Sequence, residues 1–256
     1  MIKFGPGGTV GLGYDEGIRK ISELKLSALE VEFTYGVRMS NAEANRVGEL
    51  AKNYKVSLSV HAPYYINLDS EDKKKIAASK KRILDSCERG HHLCATHIVF
   101  HAAFYGKHTP EQCYDIVRKE IIDLQSTIKK HCWDVQLAPE TTGKQSQFGT
   151  VDELLRLAKE TGCSFCIDFA HIYARNNGKI DYDELFRKLK SFKHIHSHFS
   201  GIEFTEKGER RHLVTDSRRI KELLHYIKKY NIDITIINES PMPYEDSVKT
   251  RELAGL

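Results

Sequence analysis

The sequence predicts an α/β protein, a closed (β/α)8 TIM barrel formed as a single domain over residues 1–256. Three observations predict it. Short β-rich runs recur eight times, with helical segments between them. The length, 256 residues, is ordinary for one such barrel. No linker, composition shift or low-complexity segment divides the chain. A doubly wound open sheet is the alternative, but eight units suit closure better.

The β-rich runs lie at 2–5 (IKFG), 29–33 (LEVEF), 56–61 (VSLSVH), 97–101 (HIVFH), 135–140 (VQLAPE), 164–168 (SFCID), 193–199 (KHIHSHF) and 233–239 (DITIINE). The clearest helical segments are 41–53, 71–92, 110–131, 150–160, 183–190 and 216–230, with a last short helix near 244–253. Ser40, Thr109, Thr150 and Asp216 stand where N-caps belong, and Glu153 completes a capping box with Thr150. Pro110 stands at a first helical position. The stretch GPGG at 5–8 lacks a phosphate-loop frame and reads as a turn.

Composition narrows the class. Hydrophobic residues make up 40% and charged residues 29%, as in a soluble globular chain. The formal net charge of +4 permits a polyanionic partner without requiring one. No apolar run approaches the ~20 residues of a membrane span, and the N-terminal stretch has no apolar signal region. The six cysteines are therefore expected to be reduced, in a cytoplasmic protein. Cys163 and Cys166 form a C-x-x-C, but positions i and i+3 of a strand face opposite ways, so packing is the reading.

The strand ends carry the chemistry. The third run ends in His61, the fourth in His101, the fifth in Glu140, the sixth in Asp168 with His171 just beyond, and the eighth in Glu239. The seventh carries His194, His196 and His198, and His212 lies in the loop after it. In a barrel all strands deliver their C-terminal ends to one face. Carboxylates buried together there need a neutralising cation. Mixed imidazole and carboxylate donors suit Zn²⁺, Mn²⁺ or Fe²⁺ better than Ca²⁺ or Mg²⁺. The donors are too many for one four-coordinate ion, so two or three bridged metals are expected. Such a centre acidifies a water and clamps phosphodiester oxygens, which points to metal-assisted phosphoryl hydrolysis.

Seven stretches, in order along the chain, then carry a family resemblance: HAPYYINL (61–68), IVFH (98–101), PETTGKQSQFG (139–149), CIDFAHIYA (166–174), KHIH (193–196), RRH (210–212) and INES (237–240). The chain resembles endonuclease IV, the zinc-dependent apurinic/apyrimidinic endonucleases, within the wider group of xylose-isomerase-like barrels. The resemblance implies base excision repair: cleavage 5′ to an abasic site in double-stranded DNA, with three zinc ions, by a monomer needing no protein partner or membrane. It assigns His61, His101 and bridging Glu140 to the first zinc. Asp168, a seventh-strand histidine and Glu239 complete the second, and His171 and His212 hold the third. The KHIH match favours His196 on the seventh strand, with His198 as the alternative. Glu140, Asp168 and Glu239 would be the catalytic carboxylates, and Mn²⁺ is the alternative ion.

Tyr64 is expected in the DNA groove, and Arg38 is the candidate for insertion into the duplex. Arg210 and Arg211, with Lys207, are expected at phosphates. The family's Asp-Arg-His reads Arg210-Arg211-His212 here. The third zinc therefore lacks its expected carboxylate, and Glu209 is the candidate substitute. The lysine-rich run at 73–82 reads as a solvated helix face, and Trp133 as packing at a helix–strand junction. The rival reading is a sugar isomerase or epimerase with one ion on Glu140, Asp168, His196 and Glu239, which leaves four histidines unused. A barrel that binds abasic DNA without cutting it is the third.

Overall fold

The computed structural model describes residues 1–256. In chain order the elements are β1 (Ile2–Pro6), α1 (Tyr14–Glu23), β2 (Ala28–Glu32), α2 (Asn41–Asn53), β3 (Ser57–His61), α3 (Lys73–His92), β4 (His97–Phe100), α4 (Pro110–Lys130), β5 (Gln136–Pro139), α5 (Val151–Thr161), β6 (Cys166–Asp168), α6 (Phe169–Arg175), α7 (Tyr182–Leu189), β7 (Ile195–Phe199), β8 (Gly201–Thr205), β9 (Gly208–Leu213), α8 (Ser217–Tyr230), β10 (Ile234–Asn238) and α9 (Pro243–Leu253).

Two four-stranded parallel sheets, β2-β3-β4-β5 and β1-β10-β7-β6, form the wall. Single parallel bridges join them, Gly7 to Glu30 at one seam and Glu140 to Cys166 at the other, so the eight strands close. The first seam depends on Gly5, because a Cβ there would lie 1.8 Å from the Ala28 carbonyl oxygen. GPGG is thus part of a strand seam as well as a turn.

Period two sorts the strand residues. Leu29, Val31, Leu58, Val60, Ile98, Phe100, Leu137, Ile167, Ile195, Ile234 and Ile236 belong to one large buried apolar cluster. The helices pack into it: Ile220, Leu223, Leu224 and Ile227 form the inner stripe of α8. The alternate residues form a barrel lumen of a different kind. Val99, Ala138 and Cys166 make only a small apolar cluster, while Glu30, Ser59, His97, His196, His198 and Thr235 are all buried.

All eight predicted strands and the six marked helices are present. Ser40, Thr109, Thr150 and Asp216 each accept a backbone N–H at their helix starts, and Pro110 opens α4. Three features differ from the sequence reading. Helix α1 was not marked. Helix α6 starts directly at the end of β6, with Asp168 as its N-cap. The stretch after β7, read as a loop, is the antiparallel hairpin β8–β9, with a bulge at Glu203/Phe204. Cys163 lies before β6 rather than in it, and all six thiols are free. Trp133 packs half-buried on the core, stacked on His131. No helix is long and apolar enough to cross a membrane.

Candidate metal centre

Parallel strands deliver one polar group after another to the same rim. His61 ends β3, His101 follows β4, Glu140 follows β5, Asp168 ends β6 and Glu239 follows β10. The backbone ladder runs past the strand ends and fixes these positions: Glu140 N donates to Phe100 O at 3.0 Å, and Thr141 N to Cys166 O at 3.0 Å. His171 sits in the first turn of α6, where its own N–H caps onto Asp168 Oδ1 at 2.8 Å.

Glu140 is the hub. Its Oε2 lies 3.0 Å from His101 Nε2 and 3.3 Å from His61 Nε2. Its Oε1 lies 3.1 Å from His198 Nδ1 and 3.3 Å from His171 Nδ1. Glu239 Oε1 approaches the same His198 Nδ1 to 3.3 Å. Ligand atoms of His61, His101 and Glu140 lie within 4.8 Å of one another, as do those of Glu140, Asp168, His198 and Glu239. On the outer side His171 Nε2 faces Glu209 Oε2 at 3.3 Å, and the His171 and His212 rings are 5.5 Å apart.

The imidazoles are oriented from behind. His61 Nδ1 meets the Ala62 carbonyl at 2.8 Å and His171 Nδ1 the Thr141 carbonyl at 2.9 Å. A carbonyl only accepts, so in each ring Nδ1 carries the proton and Nε2 is left to face a carboxylate. His212 Nδ1 pairs with Ser200 Oγ at 2.7 Å, which leaves its Nε2 toward Glu239. Nitrogen lone pairs and carboxylates facing each other at about 3 Å need a proton or a cation between them.

The ionisation pattern says the same. Burial opposes charge on His61, but the hydrogen bond to Glu140 and the nearby glutamates push it up to about 10. His171 and His198 rise well above the usual imidazole range against the same burial, driven by Asp168 and by Cys166 with Glu239 respectively. Glu239 falls to about 2 despite burial because His198 faces it. The centre therefore demands positive charge. Asp168 Oδ2 is sealed from solvent without a hydrogen-bond partner, and so is Glu209 Oε2. Orphaned carboxylate oxygens beside oriented imidazoles fit divalent cations.

Some residues fall elsewhere than the sequence suggested. His196, favoured by the KHIH match, is not at the rim. It lies one layer deeper, with Nε2 2.8 Å from Glu30 Oε2 and its ring stacked on His97 at 4.9 Å. His198 takes the rim position, because two residues further along a strand is one layer higher on the same face. His194 is lower still, paired with Asp233 and Thr235 at the opposite end of the barrel. The hollow of about 640 Å³ there has no such convergence of free donors.

Tyr64 stands 59% exposed at the rim, its ring 5.9 Å from that of His61. It lines a cavity of about 290 Å³ over the cluster with Lys144, Arg210 and Arg211. Arg38 lines a separate hollow of about 460 Å³ beside Tyr14, Glu32 and Tyr35. Two carboxylates were missed. Glu30 is fully buried beneath His198, and Glu32 joins Glu30 and Glu239 in a third donor group. The signal was present: alternate glutamates in LEVEF, on a strand otherwise apolar.

The fold is thus a closed barrel with candidate metal-donor groups gathered at one rim. A family model described as xylose isomerase-like TIM barrel matches residues 18–252. The chain belongs to that family. An uncharacterised protein of Methanocaldococcus jannaschii is 35% identical over 262 residues, covering 97% of this chain and 95% of that protein. A probable endonuclease 4 of Metamycoplasma arthritidis is 27% identical over 212 residues, 75% of this chain and 74% of that one. Among solved structures, endonuclease IV from Thermus thermophilus superposes with a TM-score of 0.72 at 19% identity, covering 99% and 97% of the two chains. An L-ribulose 3-epimerase superposes with a TM-score of 0.75 at 12% identity, covering 100% and 94%. These two structures show a shared fold.

Proposed function

We propose that the protein is a divalent-metal phosphodiesterase that hydrolyses DNA 5′ to abasic sites. One observation carries the reading. Around Glu140, the imidazoles of His61, His101 and His198 turn a ring nitrogen onto its carboxylate, on an open rim flanked by Tyr64 and two arginines. A single ion would not use all these donors. His61, His101 and Glu140 would hold one cation, and Glu140, Asp168, His198 and Glu239 a second. His171, Glu209 and His212 would hold a third. The nitrogen–oxygen donor set suits zinc, with manganese as the alternative. When bound, such ions supply Lewis acidity toward phosphoryl oxygens and acidify water.

The chain's own residues do the rest. The Ala62 and Thr141 carbonyls hold His61 and His171 in one tautomer. Exposed Arg210 and Arg211 offer guanidinium groups to phosphates, and Tyr64 offers a ring face to an unstacked nucleotide. The resemblance to endonuclease IV sequences supports this substrate.

A second reading has its own observation. Glu140, Asp168, His198 and Glu239 form a compact four-donor set able to hold one ion, as a sugar epimerase or isomerase would need. The deciding experiment is incision of a duplex carrying one tetrahydrofuran abasic analogue by zinc-loaded protein, with His101→Ala as control. A 5′ cut absent from the control supports the proposal. No cut by protein shown to carry metal sinks it and directs the search to sugars.

A further inference from the structure

Glu30 has no part in the reading above. It faces the barrel axis from β2 and is fully buried. A carboxylate in such a place is costly unless donors surround it. Ser59 Oγ donates to its Oε2 at 2.6 Å, and His196 Nε2 lies 2.8 Å from the same oxygen. Its Oε1 lies 2.7 Å from His198 Nε2. That close contact does not have hydrogen-bond geometry, and both atoms are sealed from solvent without a hydrogen-bond partner. Two lone pairs cannot share such a gap away from water, so the proton there belongs to His198 Nε2. The other nitrogen, Nδ1, then turns its lone pair to Glu140 Oε1 at 3.1 Å and Glu239 Oε1 at 3.3 Å.

We infer that Glu30 is a positioning residue that holds His198 in its Nε2–H tautomer and so presents Nδ1 to the cation of Glu140, Asp168 and Glu239. The inference rests on the cation reading above, not on the substrate. It also gives His196 a role without making it a ligand. His196, backed by the stacked ring of His97, supports the second carboxylate oxygen, so Glu30 is held between the two β7 imidazoles and cannot turn away from His198. A carboxylate behind a ligating imidazole fixes its orientation and raises its basicity. The same lumen offers a competing arrangement. Ligand atoms of Cys166, His196 and His198 also lie within 4.8 Å of one another, and a cation seated on them would metallate His196.

Nitrogen-15 NMR of zinc-loaded, histidine-labelled protein separates these. His198 is assigned by the signal lost in His198→Gln, and His196 by that lost in His196→Asn. The expected spectrum has His198 protonated at Nε2 and metallated at Nδ1, with His196 free of metal. Metal at His198 Nε2, or at His196, overturns the inference, and this measurement needs no altered Glu30. The second arm is zinc competition with a chromophoric chelator in Glu30→Gln. One site should weaken by about 10–100-fold, with the equivalents bound at saturation unchanged. Unchanged affinity overturns the inference. Protein that takes up no zinc overturns the cation reading and this inference with it, whereas tight uptake with bare Nδ1 overturns this inference alone.

Discussion

Glu209 Oε2 lies 3.3 Å from His171 Nε2, and it gets there across a glycine. A Cβ on Gly143 would stand 1.9 Å from that oxygen and 2.9 Å from the Glu209 Cβ. Glu209 N also donates to the Gly143 carbonyl at 3.2 Å, which ties the β8–β9 hairpin to the loop after β5. The hairpin thus delivers a carboxylate that Arg210 cannot supply.

Gly143→Ala should therefore displace Glu209 and spare the inner donors. Metal analysis after exhaustive dialysis should show about one equivalent fewer than the parent, with thermal stability of the cation-free form little changed. Full stoichiometry in this variant would remove Glu209 from the ligand set.

His196 and His198 should part company in the same assay. His198→Asn removes a donor shared by Glu140 and Glu239 and should cost zinc affinity by at least 10-fold. His196→Asn should keep its zinc equivalents, although it loosens the support under Glu30. Loss of zinc from His196→Asn alone would restore the assignment suggested by KHIH.

Metal and pH should act together. With no cation in place, His61 has a folded-state pKa of about 10, above its ordinary 6.5. A raised imidazole contributes stability that is complete below about pH 6.5 and lost as pH rises to about 10. Zinc needs the deprotonated ring, so it binds better over that window. The difference in Tm between zinc-loaded and cation-free protein should widen from pH 6.5 to 9. A difference that narrows would contradict the proton-for-metal exchange.

Glu32 provides a test in the opposite chemical sense. Burial, with the charges of Glu30 and Glu239, pushes its carboxyl up to about 8 from an ordinary 4.5. The folded state then holds a proton that the unfolded chain releases, so this group's contribution falls as pH rises from about 4.5 to 8. Cation-free Glu32→Gln should match the parent near pH 4 and melt higher at pH 8, by about 2–4 °C for each kcal/mol recovered. A variant less stable than the parent at pH 8 would refute this assignment.

Arg210 and Arg211 are 63% and 73% exposed on the hairpin, and Arg211 Nε is held 2.6 Å from Glu203 Oε2. If both reach phosphates, replacing either by alanine should weaken binding of abasic duplex uniformly. It should also lower the slope of log K against log salt by about 1. Fluorescence anisotropy across a salt series reads this directly, and an unchanged slope would place them away from the DNA.

The sequence by itself determined the eight strands, most of the helices and the polar residues at the strand ends, His61, His101, Glu140, Asp168 and Glu239, with His171 just beyond. Those signals are local: period-two alternation, caps such as Thr150 with Glu153, and a polar residue ending each apolar run. Tertiary structure alone decided the rest. His196 and His198 share a face, and only the pairing of Cys166 with His196 and of Asp168 with His198 sets which stands level with the rim. Alternate glutamates on β2 could equally have faced solvent, and barrel closure turned them into the lumen. Glu209 reaches His171 because a distant glycine leaves room for it. Side-chain type and alternation are written along the chain, whereas height, closure and clearance arise between segments that the sequence keeps far apart.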